Sequence, residues 1–276
     1  MKTKKLWQYC LPLIMILCLL IAGNAFAEMD RSEEIDKYRS MLQSTSLHQR
    51  ITAAKKLTTS GISDEKLFDL ISSILLGRYL DDLTDPQQID EMSWMCKALA
   101  SSGLTKYRES LKTVANGTSN RKLKGYALQS LGLLDKYAEQ NRVISDNKYL
   151  SEGFSDEEAR YMNMLESKDL TLIRNAAKTI FRAGLLDERV YEVVHQVLVR
   201  ENGKMPKEKE YDDYGEEVEY GFSRKAKLKI DTISWLCKAL GASGQLKYKK
   251  TLDEIAKTSV DDRISKYARN SFNMLR

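Results

Sequence analysis

Apolar residues recur every three or four positions along most of this chain, which is the spacing of amphipathic helices. In one representative segment, Asp64 stands as a helix cap before a run of apolar residues at helical spacing, namely Leu67, Leu70, Ile71, Ile74 and Leu75. The same pattern predicts six helices in the first half of the chain, near 32–43, 46–60, 64–80, 86–102, 104–116 and 119–135. No run of alternating β-branched residues predicts a strand. We therefore expect an all-α fold.

Glycine and proline mark where these helices should end and begin. Gly61 and Gly103 fall after the second and fourth predicted helices, where a left-handed residue commonly ends a helix. Gly184 and Gly244 hold the corresponding places in the second half. Pro86 suits the first turn of its helix, because a helix has no partner for the N–H group that proline lacks.

The second half of the chain repeats the first. Residues 90–111 and 231–252 agree at 12 of 22 positions without a gap, at a shift of 141. Nearer the start the shift is 123, which aligns Ala53-Ala54-Lys55 with Ala176-Ala177-Lys178. The second copy therefore holds 18 extra residues, between positions 199 and 231. We infer a tandem duplication, with copies at 28–153 and 154–276.

Each copy resembles the HEAT repeat family. The resemblance lies in a helix with a paired alanine (Ala176-Ala177), a glycine turn (Gly184) and an aspartate (Asp187) that starts a second apolar helix. It implies an α-solenoid of about six helix pairs, three in each copy, that curves to present a concave inner surface.

The first 27 residues read as a signal peptide. Three lysines precede an apolar run at 11–22, and Ala25-Phe26-Ala27 supplies the small residues that signal peptidase needs. The run is short for an uncleaved membrane anchor, which takes about 20 apolar residues. We expect cleavage after Ala27, a periplasmic or secreted protein of the bacterial envelope, and no stable membrane anchor.

Removal of this leader changes the charge of the chain. It takes away three of the 44 basic residues and none of the 39 acidic ones, so the net charge becomes 41 − 39 = +2. A nearly neutral chain with interspersed signs lacks the basic footprint of a nucleic-acid-binding protein. We therefore expect no nucleic-acid partner.

The sequence offers no catalytic or metal-binding constellation. His48 and His195 are the only histidines, and neither has a cysteine near it in the sequence. There is also no nucleophile elbow and no phosphate-binding glycine loop. Cys96 and Cys237, the cysteines that remain after cleavage, occupy equivalent places in the two copies, too far apart in a solenoid for a disulfide. We expect no enzyme activity, cofactor or metal.

The candidate partner-binding residues belong to the repeated motif and to the insertion. Trp94, Lys97, Trp235 and Lys238 repeat within the motif Trp-x-Cys-Lys-Ala-Leu. Packing of the tryptophans between helices is the favoured interpretation, and exposure with their lysines as aromatic anchors is the alternative. The insertion at 201–222 is acidic and contributes Tyr211, Tyr214 and Tyr220. It is either a solvated loop or a recognition loop.

These observations favour a non-catalytic scaffold. We expect it to bind a protein or peptide through the concave face of the solenoid, with the acidic, aromatic loop as a further candidate contact. One alternative is an envelope enzyme or enzyme subunit with a pocket in the groove. The other is a self-assembling structural protein; the sequence does not set the oligomeric state.

Overall fold

A computed structural model describes residues 31–81, 83–184, 186–206, 210–211, 217–218 and 223–275. Helices dominate these residues, so the predicted all-α class is confirmed. The helices are α1 Ser32–Leu42, α2 Leu47–Leu57, α3 Glu65–Arg78, α4 Pro86–Ser101, α5 Arg108–Gly117, α6 Arg121–Ile144, α7 Asp156–Glu166, α8 Leu170–Ala183, α9 Glu188–Asn202, α10 Arg224–Ala242, α11 Lys249–Thr258 and α12 Asp262–Met274. The predicted leader, residues 1–27, lies outside the described residues.

Shorter elements complete the description. Single 3-10 turns at Thr105–Tyr107, Leu150–Glu152 and Leu246–Tyr248 precede α5, α7 and α11. Within the insertion, β1 (Glu210–Tyr211) pairs antiparallel with β2 (Glu217–Val218). None of the helices in the described part of the chain is both long and apolar enough to cross a membrane.

Local capping explains where several helices begin. Asp64 accepts a hydrogen bond from the backbone N–H of Leu67, at 2.7 Å, and so caps α3 as its position in the sequence predicts. Ser155 and Glu158 form a reciprocal capping box at the start of α7. Pro86 is the first residue of α4, behind the cap residue Asp85.

The four turn glycines all have a positive φ, although Gly184, with a ψ of −144°, lies outside the left-handed helical region. Their φ angles are 70° at Gly61, 68° at Gly103, 87° at Gly184 and 69° at Gly244. A side chain in this region of the Ramachandran map costs about 1–2 kcal/mol, which is why glycine stands there.

Helix α6 differs from the expectation, because it continues to Ile144 and not to 135. Its additional turns are held by packing and polar contacts along the first copy. The side-chain amide of Asn141 donates to the carbonyl oxygens of Ser101 and Ser102, at 2.7 and 3.0 Å. These carbonyl groups lie at the end of α4, where the helix itself offers them no N–H partner. The extension therefore caps its neighbour.

The helices pack as pairs, and their apolar side chains form two separate clusters. In the first half, α4 packs between α2 and α6, and in the second half α10 packs between α8 and α12. One buried cluster extends from Tyr38 to Leu134 and the other from Ile144 to Leu275. We call these the first and second halves of the molecule.

The repeated cysteines belong to these two clusters. Cys96 and Cys237 are fully buried free thiols. Burial raises the pKa of each thiol to about 12, which keeps both protonated and unreactive. They therefore act as small core residues.

The two halves meet where α7 lies beside α1 and the end of α2. Arg160 of α7 contacts the Glu34 carboxylate at 3.1 Å, and Arg31 contacts the same oxygen at 3.1 Å. Both guanidinium groups also donate to the carbonyl oxygen of Ser60. Burial alone would raise the pKa of the Glu34 carboxyl group. The two arginines outweigh burial, so the pKa of Glu34 is lowered. This ion cluster fixes the second half against the first.

Candidate binding cleft

The repeated motif builds a cation–aromatic cluster in the first half. Lys97 and Trp94 stand three residues apart on α4, so the lysine side chain reaches back over the indole. Its Nζ lies 4.2 Å from the Trp94 ring centroid and 4.4 Å from that of Tyr126 on α6. Lys55 Nζ, from α2, lies 5.2 Å from the Trp94 ring. We call these four residues the Trp94 cluster.

The second half contains an equivalent cluster. Lys238 Nζ lies 4.0 Å from the Trp235 ring centroid and 4.1 Å from that of Tyr267. Lys178 Nζ lies 5.2 Å from the Trp235 ring. Each member follows its counterpart by the same shifts that align the two sequences. We call Lys178, Trp235, Lys238 and Tyr267 the Trp235 cluster.

Both tryptophans pack on the core and keep part of their surface open. Trp94 and Trp235 are half-buried and each contacts its own hydrophobic cluster. Lys97 and Lys238 are half-buried as well. The structure thus brings each predicted tryptophan together with its predicted lysine. Each tryptophan is packed on one side, as the first interpretation has it, and partly exposed, as the alternative has it.

Sequence reasoning did not single out Lys55 and Lys178. A signal was present, because both lysines end the repeated Ala-Ala-Lys triplet. Their ammonium groups reach a tryptophan of the next helix pair, which spacing along one helix does not reveal. The contribution of Tyr126 and Tyr267 to the clusters also depends on contact between helices.

A cleft opens beside Trp94, between the first half and α8. Its volume is about 400 Å³. Helices α2, α4 and α6 form one wall, and Thr171, Arg174 and Asn175 of α8 form the other. This Trp94 cleft therefore requires both halves of the molecule.

Position 58 helps to keep this cleft open. Phe181, the counterpart of Thr58 in the second half, packs edge-on against Trp235 with ring centroids 5.7 Å apart. Thr58 lines the Trp94 cleft, and its hydroxyl donates to the Lys55 carbonyl oxygen at 2.6 Å. The first half therefore has a small side chain where the second half has a ring in contact with its tryptophan, although both tryptophans are half-buried.

The Trp94 cleft is lined by basic groups. Lys97, Lys136 and Arg174 contribute to its surface, and none of the described residues that line it is acidic. Lys136 and Arg174 form ion pairs with carboxylates outside the lining, Asp169 at 3.4 Å and Asp231 at 3.6 Å. The Nε atom of Arg174 is buried and has no hydrogen-bond partner within the described structure. Among the basic groups of the lining, Lys97 is therefore the one for which the described structure records no ion pair.

The environment of Lys97 disfavours its charged form. Partial burial lowers the pKa of Lys97, and repulsion from Lys122 and Lys55 lowers it further, while Asp90 acts in the opposite direction. The structure records no carboxylate within 4.0 Å of Lys97 Nζ among the residues it describes. Since its known contacts are aromatic rings, its N–H groups can donate to an anionic ligand.

A second cleft, of about 360 Å³, lies at the junction of the halves. Its two carboxylates, Glu34 and Glu157, accept hydrogen bonds from the hydroxyl groups of Tyr38 and Tyr161. Because Glu34 also holds Arg160, these charges serve the contact between the halves. Its lining also contains Lys55, Lys56 and Arg182, so this cleft combines both signs of charge, whereas the described lining of the Trp94 cleft has no acidic residue.

Much of the predicted recognition loop lies outside the described residues. Tyr211 belongs to strand β1, and Tyr214 and Tyr220 lie outside the described residues. The role of the 201–222 insertion therefore stays a prediction.

The histidines form no obvious metal site. His195 Nε2 lies 2.9 Å from the Thr251 hydroxyl, and its ring lies 5.2 Å from that of Tyr248. Within the described ranges, no group of three or more histidine, cysteine, aspartate or glutamate side chains could hold a metal ion.

Comparisons with known proteins leave the function open. No protein-family model matches the chain, and no curated protein does. One solved structure with some similarity is the crystal structure of an engineered protein from a structural genomics consortium, at 15% sequence identity. The match covers 88% of this chain and 96% of that chain, with a TM-score of 0.24. That score is too low to support an argument about fold or function.

Proposed function

We propose that this protein is an exported, non-catalytic scaffold that binds a protein or peptide partner at the Trp94 cleft. The observation that carries the proposal is the cleft itself, which combines a half-buried tryptophan with Lys97, Lys136 and Arg174 and has no acidic residue among its described lining. Tryptophan and arginine are the residue types that most often anchor protein interfaces. The volume of the cleft suits a short segment of a partner.

We further propose that the scaffold is an α-solenoid of HEAT-like repeats that arose by duplication. Two observations support this. The Trp94 and Trp235 clusters join corresponding helix pairs by corresponding contacts. In addition, Tyr107 and Tyr248 donate hydrogen bonds to the equivalent acidic residues Asp69 and Glu192. Repetition of whole contact networks is expected of duplicated structural units.

A polypeptide fits this surface better than a nucleic acid. Single-stranded nucleic acids stack their bases on aromatic side chains. At Trp94, however, lysine ammonium groups already lie 4.2 and 5.2 Å from the ring centroid. The near-neutral charge of the chain without its leader points the same way.

A site-specific photo-crosslinking experiment tests the proposal. Benzoylphenylalanine is placed at Gln129, which is exposed and lines the cleft, or at the exposed Gln196 on α9 as a control. In cells that produce the protein, we expect one defined polypeptide adduct from position 129 and none from position 196. The purified partner should bind the unmodified protein and should bind the Lys97→Gln variant roughly tenfold more weakly.

Identical adducts from both positions, or no adduct at position 129, would contradict binding at this cleft. A second variant that lacks residues 207–222 separates the cleft from the insertion. If the deletion keeps the adduct, the cleft is sufficient for binding. If it loses the adduct while Lys97→Gln keeps it, the insertion is the contact and the proposed site is wrong.

A further inference from the structure

We infer that the segment held in the Trp94 cleft is acidic, with a carboxylate bound between Lys97 and Arg174, and that the Trp235 cluster does not hold such a segment. This inference rests on the proposed function for the kind of ligand, a polypeptide. It adds the chemistry of that ligand and the number of sites.

The charges around the cleft favour a carboxylate. Lys97 lies among Lys55 and Lys122, and its described contacts are the rings of Trp94 and Tyr126. The opposite wall presents the partly exposed Arg174, whose Nη1 contacts Asp231 at 3.6 Å and whose Nε has no partner in the described structure. A carboxylate oxygen accepts charge-assisted hydrogen bonds from ammonium and guanidinium groups alike, and such bonds are about twice as strong as neutral ones. An acidic side chain would therefore satisfy donors from both walls at once.

The size of the cleft favours one short segment. Its volume of about 400 Å³ lies near the lower end of the range of about 300–1,000 Å³ found for small-ligand pockets. The polar groups of Gln129, Gln140 and Asn175 line the same space. Amide side chains can both donate and accept hydrogen bonds, so they suit the backbone of a bound peptide.

Two differences separate the Trp235 cluster from the Trp94 cluster. Phe181 packs against the Trp235 ring, whereas Thr58 lines the cleft beside Trp94. In addition, Asp231, which also contacts Arg174 at 3.6 Å, lies 3.7 Å from Lys178, whereas the structure records no ion pair for the equivalent Lys55 among the described residues. The second cluster thus has an aromatic neighbour on its tryptophan and a carboxylate beside Lys178, and so it offers less to an acidic ligand.

The test uses the purified protein and a fluorescein-labelled peptide of six glutamates, with six glutamines as the uncharged peptide. Fluorescence anisotropy should show saturable binding of the glutamate peptide alone, with one site per chain. Lys97→Gln and Arg174→Gln should each weaken binding roughly tenfold. Thr58→Phe, which places the aromatic ring of the second half into the cleft, should weaken binding at least as much without changing any charge.

Matched variants define the specificity of these effects. Thr58→Ser keeps the cleft open and should bind within twofold of the unmodified protein. Lys112→Gln, which removes an exposed lysine on α5, should do the same. Thermal unfolding of each variant shows whether the fold is retained; if Thr58→Phe does not fold, the two charge variants still decide the question.

Several results would overturn the inference. Equal losses in Lys97→Gln and Lys238→Gln would mean that both clusters bind. Equal binding of the glutamine peptide would exclude the carboxylate, and a preference for a single-stranded oligonucleotide would replace it by phosphate. If position 129 still crosslinks its partner while the glutamate peptide fails to bind, the scaffold stands and the acidic ligand is wrong.

Discussion

At the scale of single residues, the two halves bury different carboxylates, Glu91 in the first half and Glu201, at the position aligned with Arg78, in the second. Glu91 is fully buried and accepts hydrogen bonds from Arg50 Nε at 2.5 Å and Arg78 Nη1 at 2.8 Å. At the aligned positions the second half has Ile173 for Arg50 and Thr232 for Glu91. The Thr232 hydroxyl donates to a carbonyl of its own helix instead. The two halves therefore stabilise equivalent places by different chemistry.

We predict that Glu91→Ala destabilises the protein by about 3 kcal/mol, because it leaves two guanidinium groups without their carboxylate. The arginine side chains are 18% and 30% exposed, which keeps the cost near the lower end for a broken buried ion pair. Urea unfolding measures the change. Asp135→Ala, which removes the exposed partner of Arg108, is the control and should cost less than about 1 kcal/mol. Equal costs in the two variants would show that Glu91 is not a structural centre.

The sequence predicts part of the candidate site at this scale. Repetition identifies Trp94, Lys97 and their counterparts, because chance does not repeat such a motif. It does not reveal that Phe181 packs against Trp235 while Thr58 lines the cleft beside Trp94, since that depends on contact between helix pairs. The sequence also does not reveal the ion cluster of Arg50, Arg78 and Glu91, because its members lie on three different helices, α2, α3 and α4.

At the scale of elements, helix starts are predictable and the length of α6 is not. Asp64 and Pro86 begin their helices where local chemistry requires. The extension of α6 to Ile144 depends on tertiary contacts, such as that of Asn141 with the end of α4. A pattern of apolar residues within one segment carries no information about such contacts, so the prediction ended this helix early.

Two equivalent glycines, Gly103 and Gly244, allow the contribution of the α6 extension to stability to be measured. A Cβ atom added at Gly103 would lie 2.5 Å from Cα of Ala138 on α6, whereas one added at Gly244 would meet nothing within 4 Å. Both have nearly the same φ angle, 68° and 69°. We predict that Gly244→Ala costs about 1–2 kcal/mol from the backbone alone. Gly103→Ala should cost about 1–3 kcal/mol more, since the backbone of α6 must move.

Chemical denaturation of the two glycine variants gives this difference directly. Amide hydrogen exchange should also show faster exchange at 136–144 in Gly103→Ala and no change there in Gly244→Ala. Equal stabilities would mean that the end of α6 packs only loosely on the first half.

At the scale of the whole molecule, the relation between the halves creates the cleft. A straight stack of helix pairs would place α7 three layers away from α1, but Arg160 of α7 contacts Glu34 of α1. This arrangement also places α8 across the cleft from α4, α6 and the end of α2, so that Arg174 and Trp94 line the same cleft. The duplication in the sequence predicts two similar halves and gives no information on how they meet. The sequence therefore does not predict the cleft, which depends on the contact between the halves.

The pKa of Lys97 reports most directly on a bound carboxylate. In the unliganded protein, burial lowers the pKa of this lysine below its ordinary value of about 10.4. An anion beside the ammonium group favours the charged form and raises the pKa. Binding should therefore take up protons near the pKa of unliganded Lys97 and weaken as the pH rises through that value.

NMR titration of 13C-methylated lysines, with and without the glutamate peptide, makes this measurement. We predict a lowered pKa for Lys97 in the unliganded protein and an increase when the peptide is added, while the resonance of the exposed Lys112 stays in place. The Lys97→Gln variant assigns the signal. A Lys97 signal whose pKa and chemical shift do not respond to saturating peptide would contradict the account, because the ligand would then be bound elsewhere.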